Sequence, residues 1–328
     1  MHLIAGDIGG TKSELAWVED GQPDGAQQRC ERIYPSADFA SIEALLRQFM
    51  RDAGPAARPE RFLLAVPGPV DGQRARLTNL DWTLDAEALG RDLGGAAVRL
   101  VNDFEAASAG VTGLGPDDVL ALNPQPAEAR GVRAITGAGT GLGLAFALDD
   151  TSGRAHICPS EGGHVDFAPA NARQVRLLDA LRARHGHVSW ERVASGSAFD
   201  DLYRFCCAEA GKRLPDAPVD GAALSERAAA GDVVANAALD LFVELYGAWV
   251  GNVALLFQPR GGLYVAGGVS RQLRGRLQTP LFLAAATDKG RMRGVVERTP
   301  IFLVTTERLG VRGAIALGRS MASESDTA

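Results

Sequence analysis

The sequence predicts an α/β protein in two domains. Strand-like and helix-like segments alternate along the chain. A glycine–threonine turn between two strands occurs twice, at residues 6–13 ("GDIGGTKS") and 137–143 ("GAGTGLG"). The length of 328 residues suits two domains of ordinary size.

In the first half, "HLIAG", "SELAWVE" and "QQRCERIYP" read as strands separated by turns. Ile42, Leu45, Leu46 and Phe49 recur at helical spacing and predict a helix over residues 39–50. "RFLLAVPGP" is a buried strand stopped by Pro67 and Pro69. A helix over 85–93 leads to the strand "AVRLV", and another helix begins at Asp103. The order restarts near residue 132 with the strand "VRAIT", the glycine turn and the strand "LGLAFALD". "SEGGHVDF" reads as a strand-like segment around two glycines. Helices follow over 172–184, 198–210, 221–230 and 233–257, then the strand "GGLYVAGG" and a last helix over 311–321. The repeat is one of pattern, without sequence identity. The polar tail "SESDTA" predicts disorder.

Composition narrows the function. Apolar content of 46% and charged content of 23% are those of a soluble globular protein. A net charge of −6 argues against nucleic acid as a partner, because phosphate backbones need clustered cations. Cys30, Cys158, Cys206 and Cys207 show no C-x-x-C spacing and read as reduced thiols in a cytoplasmic protein. The N-terminus lacks the basic start and long apolar run of a signal peptide. Residues 239–257 are strongly apolar yet hold Asp240, Glu244 and Asn252, so they read as a core helix and no membrane partner is expected.

The first turn is one letter from a P-loop, with Thr11 where that motif has its second glycine. A P-loop leads into a helix, but residues 13–18 are strand formers. The second turn does not match G-x-G-x-x-G either, and a strand again follows it. Two Gly–Thr turns between strands suggest backbone amides and the hydroxyls of Thr11 and Thr140 converging on a polyphosphate, with Asp7 holding hydrated Mg²⁺. The alternative is that each is a plain hairpin turn.

Asn102 and Asp103 stand at a strand end that opens a helix, where Asp103 serves either as an N-cap or as a catalytic base. Glu161, His164 and Glu191 supply carboxylates and an imidazole of the kind that reads sugar hydroxyls. Glu191 alternatively only favours a helix dipole, and His164 alternatively is structural. His185 and His187 read as surface residues, since no third metal ligand is evident.

Taken together, "GDIGGTK", "LTNLDW", "VNDFEA", "GAGTGLG", "PSEGGHVDFAP", "GHVSWERVASG" and "YVAGGV" resemble, in order and spacing, the bacterial-type glucokinases of the hexokinase–actin–chaperone ATPase superfamily. The resemblance implies two ribonuclease-H-like α/β domains, residues 1–113 with about 305–328 and residues 114–304, with a ligand cleft between them. It implies ATP-dependent phosphorylation of glucose at the 6-hydroxyl, a homodimer, Asp103 as catalytic base, and Asn102, Asp103, Glu161, His164 and Glu191 as sugar ligands. Gly6, Asp7, Ile8, Gly9, Gly10 and Thr11 would form the first phosphate motif, Gly139, Thr140 and Gly141 the second, and Gly267 and Gly268 the adenosine motif.

One departure is Thr11-Lys12, where these glucokinases often have Thr-Asn. Lys12 resembles the repressor-type sugar kinases, but the cysteine-rich zinc motif that follows "EGGH" in those is missing from "VDFAPANARQ". A sugar-responsive regulator would need a DNA-binding module, and only five residues precede Gly6. A chaperone-like or filament-forming ATPase would not need the set Asn102, Glu161, His164 and Glu191.

Overall fold

The computed structural model describes residues 2–19, 27–54, 59–77, 80–151 and 155–325. The chain divides into two compact units, Met1–Leu114 with Thr306–Ala328, and Gly115–Thr305.

The first unit is built on a five-stranded sheet. Its strands are β1 (His2–Ile8), β2 (Lys12–Glu19), β3 (Gln27–Pro35), β4 (Arg61–Val66) and β7 (Ala97–Asn102), in the order β3-β2-β1-β4-β7. β1, β2 and β3 pair antiparallel, while β1, β4 and β7 run parallel. β5 (Arg74–Leu77) and β6 (Trp82–Asp85) form a separate hairpin. The helices are α1 (Ile42–Ala53), α2 (Ala86–Asp92), α3 (Asp103–Val111) and the C-terminal helix Leu309–Ser325.

The central strands are largely apolar because both faces of the sheet are covered. Ile4 and Ile8 of β1 with Phe62, Leu64 and Val66 of β4 join Leu45, Leu46 and Phe49 of α1 in one core. Their neighbours Leu3, Ala5, Leu63 and Ala65 face the opposite way and pack with Ala106 and Ala314. The period of two in the strands thus feeds two cores. α3 crosses the C-terminal helix at backbone distance. A Cβ on Gly110 would meet the carbonyl of Leu309, and one on Gly313 would meet that of Ala106.

In the second unit the strands are β8 (Val119–Ala121), β9 (Arg133–Ala138), β10 (Leu142–Asp149), β11 (Ala155–Ser160), β12 (Leu263–Ala266) and β13 (Ile301–Val304). Their order is β11-β10-β9-β12-β13-β8. An antiparallel β9–β10–β11 meander is followed by parallel β12 and β13, the arrangement of the first unit, with β8 added antiparallel at the edge. The pattern repeat in the sequence is therefore a repeat of topology.

The helices of this unit are α4 (Ala172–His185), α5 (Glu191–Ala194), α6 (Phe199–Glu209), α7 (Gly221–Ala229), α8 (Val233–Phe257), α9 (Gly268–Gln272), α10 (Arg274–Leu277), α11 (Pro280–Thr287) and α12 (Arg293–Glu297). α8 is long and apolar enough to cross a membrane, but Leu241, Phe242, Leu245, Tyr246 and Trp249 are buried in the core of the unit. It is the core helix that the sequence predicts.

Several expectations need correction. "SEGGHVDF" is not a strand: β11 ends at Ser160 and a 3-10 turn occupies Gly162–His164. The last helix is longer than 311–321, and residues 323–325 of the expected disordered tail belong to it, while 326–328 lie outside the described residues. His185 is not a surface residue; its ring is 2.7 Å from Asp201 with the side chain 18% exposed. Thr78 and Asn79 of "LTNLDW" lie outside the described residues.

Candidate active site

In the first unit the candidate residues gather at the carboxyl ends of the parallel strands. Asp7 lies beside Ala65, and Val66 beside Asn102, across β1, β4 and β7. Open α/β sheets bind ligands at this edge. The turn from β1 to β2 is closed by the Gly9 N–H donating to the Lys12 carbonyl at 3.0 Å. A Cβ on Gly9 would lie 2.6 Å from that same oxygen, so the turn requires glycine there. Gly6 has a different reason: Leu15 Cδ2 occupies its side-chain space at 2.7 Å. Ile8 is fully buried, so only its backbone can face a ligand. Thr11 is exposed.

Ser36 grips this turn from behind and was not singled out by sequence. It is fully buried. Its N–H donates to Thr11 O at 3.0 Å and its hydroxyl to Gly9 O at 2.6 Å, with Ser13 Oγ at 2.9 Å. No local motif marks such a residue, which follows a strand and lies 27 residues downstream of the Gly9 carbonyl it holds.

Asp7 is packed against the start of the C-terminal helix, where a Cβ on Gly310 would collide with its carboxylate. Burial pushes its carboxyl up to about 6, opposed by the charge of Lys12. Lys12 Nζ is 2.9 Å from Glu307 Oε2. Beneath them Glu14 is buried in β2, and desolvation together with Glu31 raises its carboxyl to about 8. Arg308 contacts Glu31 and lies 3.7 Å from Glu14. The signal for Glu14 was present: an acidic residue inside an apolar strand.

The choice between cap and base at Asp103 is sharpened by its neighbour. Asn102 is the N-cap of α3, its Oδ1 accepting from Phe104 N at 2.8 Å and Glu105 N at 3.3 Å. Asn102 Nδ2 donates to Gly68 O at 2.9 Å. Asp103 stands in the first turn, Oδ1 accepting from Phe104 N at 2.9 Å. Its carboxylate therefore sits at the positive end of the helix without being its cap.

The second unit brings the remaining candidates together. The turn between β9 and β10 is closed by Gly139 N–H on Gly141 O at 2.9 Å, and Gly196 N–H donates to Gly139 O at 2.7 Å. Thr140 is exposed and the space beside Gly139 is open. Glu191 Oε2 accepts from Leu142 N at 3.0 Å, while its Oε1 is 3.9 Å from His164 Nδ1. His164 Nε2 is 3.9 Å from Glu161 Oε2, with both side chains more than half exposed. Gly162 and Gly163 let this turn lie on β10, since a Cβ on either would strike Leu144 or the Leu142 carbonyl. Gly267, at φ 96°, caps α9 and lies against the carbonyl of Ala138 at the end of β9. Gly268 faces open space.

Each unit thus offers an exposed Gly–Thr turn at the carboxyl edge of its sheet. The first adds a helix-start carboxylate, and the second adds a Glu161–His164–Glu191 cluster in hydrogen-bond contact with its turn. The arrangement suits phosphate binding by amides and hydroxyls beside groups that accept from sugar hydroxyls.

A family model described as Glucokinase matches residues 4–321. The chain belongs to the glucokinase family. A glucokinase from Nostoc punctiforme is 37% identical over 340 residues, covering 95% of this chain and 97% of that protein. Among solved structures, a glucokinase from an Antarctic psychrotroph superimposes with a TM-score of 0.86 at 28% identity, covering 97% of this chain and 99% of that one. A ROK family glucokinase from Streptomyces griseus, solved in complex with glucose and AMPPNP, has a TM-score of 0.62 at 21% identity, covering 98% and 100%; it shares the fold.

Proposed function

We propose that this glucokinase-family chain transfers the γ-phosphoryl group of ATP to the 6-hydroxyl of glucose, on a pair of ribonuclease-H-like units. The observation that carries the reading is Glu191, which accepts from the amide behind the Gly139–Gly141 turn with one oxygen and faces His164 with the other. A sugar-reading cluster and a phosphate-holding turn are thereby one construction, which a bare ATPase does not need.

Asp103 takes the proton of the attacking hydroxyl. A primary alcohol is a poor nucleophile at neutral pH, so a positioned carboxylate has to accept the proton as the new P–O bond forms. The bond to Phe104 N engages Oδ1 and fixes the plane of the carboxylate. Asn102, Glu161, His164 and Glu191 bind the remaining sugar hydroxyls. The amides and threonine hydroxyls of the two turns bind phosphate oxygens, and Gly267–Gly268 allow close approach of the nucleoside.

Among the described residues no three metal-ligating side chains converge. The Asp7 carboxylate, at the end of β1 beside the first turn, would hold Mg²⁺ through water. The ion would supply charge neutralisation for the transferring phosphoryl group. The free cysteines fit a reducing, ATP-containing compartment, and we place the protein in the cytoplasm. Purified protein, a panel of phosphoryl donors and a panel of hexoses in a coupled assay test the proposal. The expected result is turnover that requires both ATP and glucose.

A further inference from the structure

Beneath the second phosphate turn lies a buried polar chain that the reaction does not use directly. Ala138 N donates to the Tyr246 hydroxyl at 3.2 Å. The Ser270 hydroxyl donates to Ala266 O at 2.6 Å. Tyr246 and Ser270 hydroxyls are 2.9 Å apart. A serine hydroxyl has one proton, and that of Ser270 is on Ala266, so Tyr246 donates to Ser270. The chain runs one way, from the Ala138 N–H through Tyr246 and Ser270 to the Ala266 carbonyl.

Its two ends are the informative part. Ala138 is the last residue of β9 and immediately precedes Gly139-Thr140-Gly141. Ala266 is the last residue of β12 and immediately precedes Gly267-Gly268. The parallel pairing places Gly137 beside Ala266, and Gly267 is in backbone contact with the Ala138 carbonyl. Tyr246 and Ser270 are both fully buried. Burial pushes the phenol up to about 12, so it stays a neutral donor across the working range.

We propose that Tyr246, acting through Ser270, is a positioning residue for the nucleotide, locking the phosphate turn after β9 in register with the adenosine turn after β12. The inference rests on the reading of those turns as nucleotide-binding. A hydroxyl chain that only stabilised the core would have no reason to end on the two residues that precede the two turns. Deleting the phenol oxygen removes this side-chain link at the base of the phosphate turn, so that only the strand pairing holds the two strand ends in register.

The test is Tyr246→Phe, which keeps the ring and removes only the oxygen, alongside Ser270→Ala, which cuts the chain in its middle. Four quantities are read: KM for ATP, KM for glucose at saturating ATP, Kd for ATP by direct titration, and Tm. The expected result in both variants is a rise of about 5- to 10-fold in KM and Kd for ATP, with KM for glucose unchanged. The double variant adds little to either single one. A lower Tm with parental Kd for ATP would overturn the proposal, because the chain would then be structural only. Equal rises for ATP and glucose would overturn it as well. If Tyr246→Phe fails to fold, Ser270→Ala decides on the same readouts. Wild-type protein that binds no ATP would instead remove the nucleotide reading itself, and the two failures are told apart by that titration.

Discussion

Gly196 lies outside both glycine turns yet bears directly on one. Its N–H donates to Gly139 O at 2.7 Å, and a Cβ built on it would lie 2.7 Å from the same oxygen. In Gly196→Ala that approach is about 0.7 Å short of the 3.4 Å at which ordinary contact begins. The oxygen is backbone, so the turn itself must give. Overpacking of this kind costs about 1–3 kcal/mol. A displacement near 1 Å of groups that hold a reacting phosphate costs on the order of 100-fold. A shift somewhat smaller than that gives an expected loss of about 10- to 50-fold in kcat/KM for ATP. Gly275→Ala is the control: it lies in α10 with nothing within 4 Å of the added carbon. It is expected to leave activity alone and to stabilise by up to about 1 kcal/mol. Both variants are assayed by coupled phosphorylation over an ATP titration, with Tm recorded. Parental kcat/KM for ATP in Gly196→Ala would refute the claim that this turn holds the nucleotide.

Three further outcomes are expected. Asp103→Asn lowers kcat by about 10²- to 10⁴-fold with a Tm close to parental, because Asn102 still caps α3; near-normal turnover would take the base role from Asp103. Ser36→Ala frees Gly9 O from its hydroxyl clamp, while the backbone N–H on Thr11 O stays, and raises KM for ATP about 3- to 10-fold, read against an unchanged KM for glucose. Glu14 has its folded pKa raised from 4.5 to about 8, so the folded state holds a proton there that the unfolded state has lost. The stability linked to that proton is full below about pH 4.5 and is lost as pH rises towards 8. Glu14→Gln keeps the neutral form, so its stability relative to wild type rises from pH 5 to 9 in urea unfolding; a constant difference would show that Glu14 is not protonated in the fold.

Much of the fold was legible because burial and turn chemistry leave local marks. β3, β10 and α8 fall where the residues place them, since apolar runs and helical spacing are set by facing cores. The segment 268–304 was not read: four short helices and β13 occur there, too brief for periodicity to show. "EGGH" was misread as strand because its two glycines are explained only by β10, which lies beneath them. The same holds for the site. Thr11, Thr140 and Glu191 stand in recognisable turns and a helix start, and Asp7 stands at the end of the strand that leads into the first turn. Ser36 and Tyr246 act at long range on a backbone carbonyl and a backbone amide, and no neighbour in sequence announces that.

The central claim is that the two turns and the carboxylate cluster serve one reaction. Its most direct measurement is product formation by the purified protein supplied with ATP, Mg²⁺ and glucose. The account predicts glucose 6-phosphate and ADP in equal amounts, with turnover abolished when glucose is omitted. ATP hydrolysis that proceeds at the same rate without sugar, and yields no phosphorylated hexose, would contradict it.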